Sequence, residues 1–101
     1  MTTTTPPLQQ RLEAILPELI ELRRHLHAHP ELSGEEHQTA ALISGELRQC
    51  GWRVREGVGR TGVLAELGPQ SGPQLGLRVD MDALPVEERT GLAYASLRQG
   101  V

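Results

Sequence analysis

Ala40-Ala-Leu-Ile-Ser-Gly-Glu-Leu-Arg-Gln-Cys-Gly-Trp-Arg-Val-Arg55 decides the fold, because the apolar period changes inside it. Ala40, Ile43, Leu47 and Cys50 share one face of a helix, with Cys50 expected as a small buried hydrophobe. Gly51 is a C-terminal stop. From Trp52 the residues alternate as a strand does. Just upstream, Ser33-Gly-Glu-Glu36 fits a capping box, in which Ser33 and Glu36 satisfy each other's free backbone donors at the start of the helix.

Towards the N-terminus, Leu12, Ile15, Leu16, Leu19, Leu22 and Leu26 form a second apolar stripe at helical spacing. Pro17 interrupts it, so the helix either starts there or is kinked there. It ends by Pro30, because the residue before a proline avoids the α region. Residues 1–7 read as a flexible polar lead. Towards the C-terminus, Gly57, Gly59 and Gly62 break the chain, and Val63 to Leu67 forms a strand. Gly68-Pro-Gln-Ser-Gly-Pro73 is a dense turn signal. Leu75 to Val79 is a third strand, expected to form a hairpin with 63–67, and Asp80-Met-Asp82 follows at once. Leu84 to Val101 shows no clean period. Two helices followed by strands predict an α/β domain.

The 101 residues suffice for one small domain, and with no Phe, one Trp and one Tyr the core material is thin. All ten basic residues are Arg and the net charge is −3, so no electrostatic footprint for nucleic acid or an anionic membrane exists. The absence of Lys excludes any mechanism that needs one from this chain. Met1-Thr-Thr-Thr-Thr-Pro-Pro7 lacks the basic and apolar regions of a secretory signal, and no apolar run approaches a membrane span. A lone cysteine, Cys50, excludes an internal disulfide and a Cys-based zinc cluster. A cytoplasmic location is the expectation.

Asp80 and Asp82 are the only aspartates, two apart at the end of an apolar strand, where α/β sheets place ligand-binding groups. Carboxylates this close share a cation or perturb each other's protonation, although Asp also ends strands and begins turns. His25 and His29 lie one helical turn apart, a spacing that can chelate a metal. No glutamate stands between them as in H-E-x-x-H, and their place near a helix end favours a capping role through the helix dipole. Glu87 and Glu88 follow Pro85 in a polar stretch and are expected to face solvent.

Taken together, Leu22-Arg-Arg-His-Leu-His-Ala-His-Pro-Glu-Leu-Ser33, a helix ending at Cys50-Gly51, Leu77-Arg-Val-Asp-Met-Asp-Ala-Leu-Pro85 and Thr90-Gly-Leu-Ala-Tyr-Ala-Ser96 resemble the hippurate hydrolases and indoleacetyl-amino-acid hydrolases. These belong to the wider aminoacylase and carboxypeptidase-like zinc metallopeptidases, and the resemblance runs from Leu8 to Val101. It implies a catalytic α/β domain with a two-metal site binding Zn or Mn. It also implies a small-molecule N-acyl amino acid substrate cleaved at its amide, and a homo-oligomeric parent protein. By the family's pattern Asp82 takes the place of the aspartate that orients a metal-bound imidazole. Asp80 stands where many relatives have a ligating His, and stays open as a ligand, because the hippurate-type branch draws its ligands from elsewhere. The family's Cys- and His-bearing metal motif begins after the segment matching 96–101. Residues 8–101 are therefore expected to be the N-terminal, incomplete part of the catalytic domain, inactive alone and with no metal ligand of their own.

Two rivals remain at this stage. A haloacid-dehalogenase-type phosphotransferase would use Asp80 as nucleophile and Asp82 as acid/base, but that chemistry also needs a Lys. A folded, inert module active only in an assembly is the non-enzyme reading.

Overall fold

A computed structural model describes residues 6–101. The first five residues of the proposed polar lead lie outside the described residues. Helix α1 spans Leu8–Ala28, helix α2 His37–Gln49, strand β1 Arg53–Val58 and strand β2 Gly62–Glu66. The α/β class and the order of helices before strands are as expected from the sequence.

Helix α1 starts at Leu8, directly after Pro7, and runs through Pro17. Pro17 therefore does not start the helix; it removes one internal donor, since proline carries no N–H. None of the helix is buried. Leu12, Ile15, Leu16 and Leu19 are all more than two-fifths exposed, so the apolar stripe is real but uncovered. At the other end His29 closes the helix: its amide donates to the carbonyls of His25 and Leu26, and its Nδ1 lies 2.9 Å from the His25 carbonyl. That is the capping role expected near His25 and His29, whose rings stack at 4.4 Å.

The capping box at Ser33 is not formed. The chain turns at Ser33 and Gly34, α2 begins only at His37, and no side chain of the N-cap residue Glu36 caps it. The free donors of the first turn are met instead from outside. Glu31 accepts the amide of Gln38 at 3.1 Å and that of Thr39 at 2.6 Å. These are the second and third helical residues, the ones a capping oxygen serves.

The end of α2 follows the sequence closely. Gly51 has φ +88°, a conformation open to glycine at little cost. The Gly51 amide donates to Arg48 O and the Trp52 amide to Leu47 O, each at 3.0 Å. This paired closure turns the chain back so that Trp52 and Leu47 line one cavity. Cys50, expected to be buried, is exposed: it falls in the turn rather than on the packed face, which is carried by Thr39, Ala40 and Ser44.

The hairpin joins β1 to β2, antiparallel, with Val54 opposite Ala65 and Arg55 opposite Leu64. Gly57 does not break the strand. It sits inside β1 at a bulge between Glu56 and Val58, with φ +72°. The turn is the three residues 59–61, short enough to pair neighbouring strands directly. The expected hairpin between 63–67 and 75–79 is therefore absent, and 75–79 is not a strand among the described residues. Leu75, Leu77 and Val79 are 92%, 90% and 82% exposed, in a segment that pairs with no strand among the described residues.

Helix α2 packs on the hairpin, and Arg48 reaches Glu56 at 3.1 Å. Little is enclosed: Ala40 is the one buried hydrophobic residue among those described. The radius of gyration is 16.7 Å, against the ~13 Å of a compact chain of this length. The accessible surface of 8547 Å² likewise exceeds the roughly 5,700 Å² of a folded monomer of this mass. The apolar faces that the sequence marks so clearly are formed but not closed.

Candidate functional site

Residues 27–31, at the end of α1, organise the site. The Glu31 carbonyl accepts the Ala83 amide at 2.8 Å, and Leu32 and Ala83 form a parallel bridge. Asp82 is thereby fixed beside the link between the two helices, although the preceding segment pairs with no strand among the described residues.

Asp80 and Asp82 both line a cavity of about 600 Å³ with Leu26, His27, Glu31 and Glu88. They also border a second one of about 440 Å³, between β2 and residues 77–82, floored by Ile43 and Leu47. The two aspartates differ in their partners. Asp80 accepts from Arg78 at 3.2 Å in a pair whose side chains are 89% and 71% exposed, worth little in water. Asp82 makes no hydrogen bond or ion pair with the described residues.

Glu88 was expected in solvent, and the structure places it elsewhere. Its side chain is 13% exposed and its Oε1 lies 2.7 Å from Nε2 of His27. It also accepts the Ser96 amide at 2.9 Å and the Thr90 hydroxyl. These partners, Thr90 first, then Ser96 and His27, hold its carboxyl below the ordinary carboxylate value, against a smaller opposing effect of burial. An ionised carboxylate only accepts, so Nε2 of His27 carries the proton. Glu87 remains exposed and reaches Arg89 only at 3.8 Å.

Glu31 and Glu88 are the site residues that sequence reading missed. Glu31 lies too far ahead of α2 for a local capping motif. Glu88 meets His27 across 61 residues, and nothing in a polar stretch signals such a partner. For Glu31, burial alone would raise the carboxyl, but hydrogen bonds from Thr39 and Gln38 and the nearby His37 outweigh it and lower it.

No protein-family model matches the chain. Similar proteins do. The chain is 52% identical over 96 residues to a probable hydrolase of Synechocystis, covering 93% of this chain and 24% of that protein. It is 47% identical over 91 residues to the N-acetyl-L-cysteine deacetylase of Bacillus subtilis, covering 89% and 22%. In structure it matches a dinuclear metal-binding peptidase of the M20 family from Bacillus subtilis, with a TM-score of 0.79 at 40% identity over 87% of this chain.

In both sequence and fold the chain resembles part of an M20-family metal-binding peptidase.

The chain spans about a quarter of the length of the relatives it matches. A match over 93% of it necessarily takes in Asp80 to Asp82. The described residues contain no group of three or more His, Cys, Asp or Glu placed to hold a metal. The side chains present therefore do not by themselves fit a two-metal centre. No helix among the described residues is long and apolar enough to cross a membrane.

Proposed function

We propose that the chain is the N-terminal part, residues 8–101, of the catalytic domain of a metal-dependent amidohydrolase that cleaves N-acyl amino acids. The observation that carries this reading is the agreement in both sequence and fold with a dinuclear metal-binding peptidase across the segment bearing Asp80 and Asp82. The 47% identity to a protein named for deacetylating N-acetyl-L-cysteine supports the substrate class. Zn or Mn is the metal, the parent protein is a cytoplasmic homo-oligomer, and this chain alone is inactive.

What these residues contribute is placement. Ala83, tied to Glu31 O, presents Asp82 at the 600 Å³ cavity with its carboxylate unpaired among the described residues. An unpaired carboxylate is suited to accept the N–H of an imidazole supplied by the rest of the protein and to fix that ring's tautomer. Asp80, already met by Arg78, shapes the approach.

The test is hydrolysis by the full-length protein of an N-acyl amino acid, with and without a chelator, beside a phosphate ester. Chelator-sensitive release of the amino acid supports the reading. Phosphate release without amide cleavage refutes it in favour of the phosphotransferase.

A further inference from the structure

Four hydrogen bonds bring residues 83–98 back onto residues 27–31: Ala83 N to Glu31 O, His27 to Glu88, Leu97 N to Ala28 O at 2.9 Å, and Arg98 Nη1 to Pro30 O at 3.2 Å. Two use backbone groups alone, and the third needs one side chain. His27 with Glu88 is the member made wholly by side chains, so it alone makes this closure depend on two particular residues. It is also the shortest of the four, at 2.7 Å, and charge-assisted through the ionised Glu88.

The surroundings hold the pair in one geometry. Tyr94 meets the His27 ring edge-on at 5.8 Å between centroids, and Arg24 lies over the Tyr94 ring at 4.5 Å. Glu88 is fixed in turn by the Ser96 amide and the Thr90 hydroxyl. A segment without regular secondary structure thus gains a defined place, and it forms one wall of the cavity that Asp82 also lines.

We propose that His27 and Glu88 are positioning residues, a clasp that fixes residues 84–98 on the end of α1 and thereby sets the cavity wall facing Asp82. The consequence for catalysis rests on the amidohydrolase reading; the clasp itself does not.

The test uses the full-length protein with His27→Ala, His27→Gln, Glu88→Ala and the double alanine variant. Gln can offer an N–H close to where Nε2 stands. Misplacement of a site wall is felt in the chemical step, so kcat on an N-acyl amino acid should fall roughly 10- to 100-fold in either alanine variant, with KM little changed. His27→Gln should recover most of that loss. The double variant should be no worse than either single one, because the two residues act through one contact. Amide exchange over residues 84–98 should be faster in His27→Ala than in the wild type or His27→Gln. Unchanged exchange in His27→Ala, a Gln variant as poor as Ala, or additive losses would each overturn the clasp. A wild type that cleaves no amide refutes the functional reading instead, and the exchange pattern then decides the clasp by itself.

Discussion

The carboxylate of Glu31 accepts the backbone amide of Thr39 at 2.6 Å, and through that bond the end of one helix caps the start of the next. The Glu31 carbonyl holds Ala83 at the same time. One residue therefore caps α2 with its side chain and anchors Ala83, next to Asp82, with its backbone.

Replacing Glu31 by Ala should separate these two functions. The carbonyl stays, while the donors of Gln38 and Thr39 lose their partner. Loss of a helix N-terminal acceptor costs about 1 kcal/mol. Urea unfolding of the full-length protein should show that loss. A variant as stable as the wild type would show that water replaces the carboxylate at no cost.

Acid should weaken the same region. Glu31 and Glu88 both titrate below their ordinary value of 4.5 in the folded chain. A carboxyl lowered by folding gives stability that is complete above its unfolded value and is lost as pH falls through the folded one. Stability should hold from neutral pH down to that ordinary value and decline below it. Glu31→Gln with Glu88→Gln should flatten the decline in unfolding measured across this window.

Much of this architecture was legible in the sequence, and the failures share a cause. The stop at Gly51, the end of α1 before Pro30 and the His25–His29 cap are local events, set by residues a few positions apart. The start of α2 was misjudged because its cap comes from Glu31, outside the motif that Ser33 and Glu36 suggest. The hairpin was misjudged because apolar alternation marks 75–79 as strand-like without saying what it pairs with. Glu88 was misjudged because its partner lies on α1. Periodicity reports which faces are apolar; it does not report which face meets which.

The uncovered faces have a consequence in solution. Leu75, Leu77 and Val79 are exposed apolar residues in a segment that pairs with no strand among the described residues, and the α1 stripe is open to water. The isolated 101-residue chain should self-associate with rising concentration in sedimentation velocity. A monodisperse monomer with a sharp thermal transition would contradict this.

Metal binding should be weak in the same isolated chain. Tight zinc sites gather several N, O or S ligands, and no group of three is placed for it among the described residues. Calorimetric titration with Zn²⁺ or Mn²⁺ should show no sub-micromolar site. One such site at a stoichiometry near one would require ligands from a different arrangement of the chain.

Asp82→Asn and Asp80→Asn in the full-length protein, assayed side by side on an N-acyl amino acid and on a phosphate ester, test the central claim most directly. Asn keeps the shape of Asp82 and removes the charge that orients an imidazole, so amide hydrolysis should fall ~10–100-fold while the fold survives. Asp80→Asn should lose less, since its carboxylate meets only the exposed Arg78. Near-normal amidase activity in Asp82→Asn, or loss of phosphatase activity confined to Asp80→Asn, would contradict the role of Asp82 and the amidohydrolase reading with it.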